Sequence, residues 1–195
     1  MRAVVVYESM YGNTHLIADA IASGLGHSLE VAVVSVHDVK PALADGVDLL
    51  VVGGPTHVHG MTRPNTRLAA IDSATKPDSA LTVDPDAEGP GVREWLDSAG
   101  PRNALVDTRA AAFDTRVDAP AAFTGRASKG IAHKLRGLGC SLIVEPESFL
   151  VTKEAHLEPD EEAHARRWGA TLGATLLLNS NQRALATGTP VPPAI

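Results

Sequence analysis

Unbroken apolar runs alternate along this chain with stretches that place an apolar residue every three or four positions. Arg2 to Glu8 carries Ala3, Val4, Val5 and Val6 in sequence. Four consecutive small or β-branched residues suit a strand buried on both faces. Ile17, Ile21 and Leu25 then mark a helix over Asn13 to Leu25, stopped by Gly24 and Gly26. Further strands are expected at Glu30 to Val36 and at Val47 to Gly53. A fourth is expected over Asn103 to Phe113, and a split fifth at Ser141 to Val144 and Ser148 to Val151, divided by Pro146. Val39 to Ala44 reads as a short helix, Ala127 to Leu138 as a longer one, and about Asp160 to Leu178 as the last. In the last helix Trp168, Leu172 and Leu176 form the apolar stripe. Alternating strands and helices imply a parallel sheet with helices on both faces.

Two stretches break this rhythm. From about 61 to 103 the chain makes an excursion that reads as an insertion within a single domain spanning residues 1–195. Arg63 to Ile71 and Val92 to Asp97 suit helical turns, with Trp95 and Leu96 facing inward. Thr75 to Gly91 holds three prolines and several acids, too polar to form core. From about 180 to 195 the tail is polar and proline-bearing, and a frayed end is expected.

Composition narrows the class. At 195 residues, 44% hydrophobic and 21% charged, the chain suits a soluble globular protein, expected in the cytoplasm. A net charge of −6 argues against a nucleic-acid partner. No apolar run approaches 20 residues, so no membrane partner is expected. The single Cys140 can form no internal disulfide and reads as a small core residue.

The chemistry concentrates between the first strand and the first helix, in Ser9-Met10-Tyr11-Gly12-Asn13-Thr14-His15. A helix N-terminus leaves backbone N–H groups free and carries partial positive charge. Gly12 lets the backbone approach a ligand closely, and Ser9, Asn13 and Thr14 add short polar side chains. Together they suit a phosphate. The same residue types also suit a plain helix cap, and local chemistry leaves both open. No Lys or Arg lies in this loop, so dipoles would do most of the binding. After the third strand, Pro55-Thr56-His57-Val58-His59-Gly60 adds polar groups. His57 and His59 would share one side of an extended segment, but no Cys or acidic cluster adjoins them, so no metal is expected.

Ser9 to Thr14 resembles the phosphate loop of the flavodoxins, written Thr/Ser-x-x-Gly-Asn-Thr. The resemblance implies a five-stranded, doubly wound parallel sheet in the order 2-1-3-4-5, an α/β fold in which the loops after strands one and three are neighbours. It implies FMN as cofactor, with the phosphate held by Ser9, Met10, Tyr11, Gly12, Asn13 and Thr14. Gly54-Pro55-Thr56-His57 resembles the family's second flavin loop and extends the cofactor set to Pro55, Thr56, His57, Val58, His59 and Gly60. By position, the stretch from Asp114 to Gly125 is the third loop, with Asp114, Thr115 and Arg116 toward the ring.

Two departures shape the expected function. The family's Trp and Tyr around the ring are missing, and the third loop offers only Phe123. Arg63, Arg67, Arg116 and Arg126 fall in or near the ring-side loops, where acids are usual. Cations there would raise the flavin potential and favour two-electron reduction. The expected role is an FMN-binding electron-transfer protein with no catalytic side chain, working with a redox partner protein or a small acceptor. One alternative is an NAD(P)H-dependent FMN oxidoreductase acting on a quinone or other small acceptor. Another is a cofactor-less interaction module.

Overall fold

The computed structural model describes residues 1–26, 29–39, 46–85, 87–98 and 105–187. Parallel strands β1 (Arg2–Tyr7), β2 (Glu30–Ser35), β3 (Leu49–His57) and β5 (Arg109–Val117) form the body of the sheet. The other strands are β4 (Gly60–Met61), β6 (Ser141–Leu142) and β7 (Glu147–Val151). The order is β2-β1-β3-β5-β6, with β7 alongside β5 and β4 turned back on β3 as a hairpin. Because β6 and β7 are two pieces of one edge strand, this is the expected 2-1-3-4-5 order.

The helices are α1 (Asn13–Leu25), α2 (Pro64–Ala74), α3 (Val92–Ser98), α4 (Ala121–Thr124), α5 (Ala127–Gly137) and α6 (Glu161–Thr187). Alternate residues of β1 feed opposite cores, as a pleat requires. Ala3, Val5 and Tyr7 pack under α1 and α6 with Ile17, Ile21, Trp168 and Leu172. Val4 and Val6 pack under α3 and α5 with Val92, Leu96, Ile131 and Leu135. Cys140 is buried in this second core, where burial pushes its thiol up to about 11, as a structural cysteine requires.

Several boundaries differ from expectation, each for a visible reason. β3 continues past Gly53 because Gly54 and Pro55 pair with Asp114 and Thr115. The loop expected from Asp114 is strand as far as Val117, because β7 pairs with it from Phe113↔Glu147 to Val117↔Val151. α6 runs on past Leu178 to Thr187, since no Gly or Pro interrupts it before Gly188. The helix expected at Val39 to Ala44 lies, beyond Val39, outside the described residues, as do the start expected for strand four at Asn103 and the tail after Thr187.

The excursion after β4 is tied to the sheet through one buried carboxyl. Glu8, the first residue past β1, accepts the Val92 N–H at 2.8 Å and the Thr62 hydroxyl. Arg67 donates to Thr62 Oγ1 at 3.0 Å and pairs with Glu94 at 3.0 Å. Gly91 leaves room for this cluster: a Cβ there would lie 2.5 Å from Glu8 Oε2 and 2.6 Å from Arg67 Nη1. The middle of the excursion also packs, contrary to expectation. Asp84 and Ala87 are buried, and Ala87 and Val83 join Met10 and Tyr11 in a small cluster.

Two stability predictions follow from these contacts. α1 and α6 cross closely because each presents a glycine to the other's backbone. A Cβ on Gly24 would lie 2.1 Å from the Arg166 carbonyl oxygen, and one on Gly169 would lie 2.2 Å from that of Ile21. Gly169→Ala should therefore lower the unfolding free energy by about 1–3 kcal/mol through overpacking. Denaturant titration reads this, and an unchanged midpoint would show that the helices separate without cost. The second concerns Glu8, whose pKa burial raises above the ordinary 4.5 against the lowering effects of Thr62, Val92 and Arg67. Between those two values the native state binds more protons than the unfolded one, so stability falls as pH rises through the window. Glu8→Gln should flatten that fall. Parallel stability–pH curves for the two proteins would refute the assignment.

Candidate cofactor site

The strand ends gather the polar loops at the carboxyl edge of the sheet, where parallel α/β folds bind ligands. A cleft there is lined from four directions. The loop after β1 supplies Met10, Tyr11, Asn13 and Thr14, and the end of β3 supplies Pro55, Thr56 and His57. The end of β5 supplies Thr115, Arg116 and Val117, and the turn after β7 supplies Val151, Thr152, Lys153 and Ala155. Leu81 enters from the excursion.

The start of α1 is built to leave its donors open. Gly12 is the N-cap residue with φ of 86°, a left-handed conformation that glycine adopts without strain. Ser9, fully buried, spends its hydroxyl on the Gly12 N–H at 3.1 Å. Thr14 shares a 2.8 Å hydrogen bond with Thr115 Oγ1, and Asn13 Nδ2 donates to the Ala155 carbonyl at 2.7 Å. Among the described residues no side chain accepts from the amides of the first turn, so the plain-cap reading of Ser9, Asn13 and Thr14 does not describe this helix. The first intrahelical bond is Leu16 N–H to Gly12 O, 3.0 Å. Geometry alone leaves the N–H groups of Asn13, Thr14 and His15 without helical acceptors. This fits the phosphate of FMN: free donors, a positive dipole end and a glycine at the point of approach.

Other candidates are placed differently. Asp114 is fully buried and does not line the cleft; its Oδ2 accepts the Ser128 N–H at 2.7 Å. Thr56 does line the cleft, but its hydroxyl accepts the Ala127 N–H at 2.9 Å. These two side chains satisfy the first amides of α5. His57 reaches the cleft, and burial pushes its pKa down. Val58 and His59 form the two-residue hairpin turn between β3 and β4, with φ of 45° and 70°. Positive φ at both positions is what such a turn needs, and on β-branched Val58 it is strained. The two histidines are thus not on an extended segment, and no metal-holding cluster of His, Cys, Asp or Glu occurs among the described residues. Gly60 pairs with His57 and does not line the cleft.

The arginines also separate. Arg67 is buried against Thr62 and Glu94, away from the cleft. Arg63 is exposed ahead of α2. Arg126 is held by Ser148 Oγ and the Pro146 carbonyl. Only Arg116 of this set lines the cleft, with Nη1 bound to the Ala119 and Val117 carbonyls. Phe123 is 76% exposed on α4 and outside the cleft, which leaves Tyr11 as its aromatic residue. The Tyr11 hydroxyl donates to the Ala70 carbonyl at 3.0 Å.

Sequence reading missed the turn after β7 and Leu81. Neither carries a motif: the strand order brings the turn to the first loop, and packing of the excursion, tied by the Asp84 N–H to the Met10 carbonyl at 2.9 Å, brings Leu81. No helix among the described residues is long and apolar enough to cross a membrane.

Residues 5–89 match the flavodoxin family model. No curated protein matches the sequence. Among solved structures, an archaeal flavodoxin is 23% identical, covering 90% of this chain and 99% of its own, with a TM-score of 0.60. Oxidised flavodoxin 1 from Bacillus cereus is 16% identical, covering 91% and 97%, TM-score 0.59. A flavodoxin, WrbA-like protein from Agrobacterium tumefaciens is 18% identical, covering 91% and 98%, TM-score 0.57. The chain thus resembles the flavodoxin family over residues 5–89, and its described structure has the flavodoxin-like fold.

Proposed function

We propose that this protein binds FMN noncovalently in the carboxyl-edge cleft and transfers electrons through it, in the cytoplasm, to a redox partner protein or a small acceptor. The observation that carries this reading is the uncapped start of α1 behind left-handed Gly12, opening on a cleft between the ends of β1, β3 and β5. Bound FMN would supply the redox chemistry. The residues of this chain would hold and surround it. The amides of Asn13, Thr14 and His15 would donate to the phosphate. Thr14 and Thr115, which line the cleft and share a hydrogen bond, would sit beneath the FMN. Pro55, Thr56 and His57 would form one wall, and Thr115 to Val117 the other. Electron transfer of this kind needs no acid or base from the protein.

One observation favours the second reading, an NAD(P)H-dependent FMN oxidoreductase with a quinone or similar acceptor: the Arg116 cation lines the cleft, its Nε buried and without a hydrogen-bond partner. Steady-state turnover with NADPH and a quinone separates enzyme from carrier.

Two predictions test the site. FMN should bind more tightly than riboflavin, because the open amides have nothing to hold without the phosphate. Fluorescence titration of the apoprotein with each flavin measures this, and equal affinities would refute the phosphate assignment. Arg116→Ala should lower the midpoint potential of the FMN-loaded protein by removing a cation from the cleft wall. Dye-equilibrium reduction reads the change; an unaltered potential would mean that the guanidinium serves only the Ala119 and Val117 carbonyls.

A further inference from the structure

The first loop holds no cation, yet the folded cleft draws one from elsewhere in the chain. Lys153 lines it from the turn after β7, whose Ala155 carbonyl accepts a hydrogen bond from Asn13 Nδ2. This turn is a built structure. Thr152 N–H donates to the His156 carbonyl at 2.7 Å, and the Ala155 N–H returns to the Thr152 carbonyl at 3.1 Å. Thr152 Oγ1 accepts the Glu154 N–H at 3.2 Å, and Val151 bridges Leu157 across the turn's base. Ala155, two residues beyond Lys153, takes a left-handed φ of 60° and presents its carbonyl to Asn13 Nδ2. The backbone under Lys153 is therefore fastened to the first residue of α1.

The side chain itself is uncommitted. Lys153 is exposed and makes no hydrogen bond or ion pair within the described residues, where Glu154 beside it is exposed too. Arg116 is differently placed, pinned to the end of its own strand by the Val117 and Ala119 carbonyls. The electrostatic setting gives a free cation at this point a purpose. The chain has a net charge of −6, so a dianionic phosphate meets overall repulsion. Backbone amides supply only partial charges, and a flexible ammonium lining the same cleft supplies a whole one.

We propose that Lys153 is the phosphate-side cation of this cleft and sets its selectivity for a phosphorylated flavin over an unphosphorylated one. The inference rests on the FMN reading above and goes beyond it by assigning the anion selectivity to a residue outside the first loop. Lys153 is a specificity-determining residue with no part in the redox step.

The experiment compares wild type, Lys153→Gln and Lys153→Arg as apoproteins, titrated with FMN and with riboflavin at low and high salt. Lys153→Gln should weaken FMN binding roughly tenfold at low salt, the size expected of a partly exposed charge-assisted contact. Its riboflavin affinity should stay within about twofold, since that ligand lacks the charge. The loss should shrink at high salt, and Lys153→Arg should keep most of the FMN affinity. Thermal melting of the apoproteins should be unchanged, because the side chain is exposed and makes no hydrogen bond or ion pair among the described residues. Equal weakening of both flavins would place Lys153 at the ring and overturn the proposal. So would an FMN affinity that Lys153→Gln leaves intact while wild type still prefers FMN, and in that case the FMN reading survives. A wild-type protein that binds neither flavin overturns the FMN reading and this inference together.

Discussion

Burial of the central strands on both faces governs the rest of this molecule. Val4, Val5 and Val6, Val51 and Val52, and Ala110 to Ala112 are fully buried. Helices cover each side, so neither face of the sheet can offer a polar ligand a surface. Polar chemistry is left to the strand ends. Every strand of the parallel body runs the same way, so the first loop, the end of β3, the end of β5 and the turn after β7 all open at one edge. The site follows from sheet direction before any side chain is chosen. Side chains then decide what the edge can bind.

Those side chains divide between holding the protein and facing the cleft. Glu8, Asp114, Thr56 and Arg67 are polar residues beside a ligand site, and each is committed to backbone or to a partner side chain. Asp114 and Thr56 satisfy the first amides of α5, while among the described residues no side chain accepts from the amides of Asn13, Thr14 or His15 at the start of α1. Two helices thus begin at the same edge with opposite treatment. A capped helix start is closed to an anion, because its donors are already satisfied. The contrast between α5 and α1 is physical support for reading α1 as the anion site, and it needs no reference to a motif.

The fold was legible because strand burial and helix spacing are local signals. Ala3 to Val6, and the spacing of Ile17, Ile21 and Leu25, each state their element within a few residues. Element ends were less legible, since partners set them. β5 continues through Arg116 only because β7 lies beside it, and no feature of Asp114-Thr115-Arg116 announces a strand. The first loop could be read from its own residues. The arginines could not: Arg63, Arg67 and Arg116 look alike in sequence, and Arg67 is turned away by Glu94, Thr62 and the buried Glu8 carboxyl. Lys153 was invisible for the opposite reason, since it comes to the first loop across 140 residues of chain (Asn13 to Lys153) through the strand order.

With FMN bound as proposed, its redox character would depend on which of these charges faces the cleft, and here the structure shrinks the effect anticipated from the sequence. Four arginines around a flavin would form a strongly positive cage. Of those four Arg116 alone lines the cleft, and carbonyl oxygens of Val117 and Ala119 share its charge. A guanidinium bound by carbonyl dipoles is partly neutralised, so its field at a neighbouring group is weaker than that of a bare cation. His57 adds no fixed charge to offset this, because burial lowers its pKa and favours the neutral ring. Any rise in flavin potential from this wall is therefore the work of one half-committed cation.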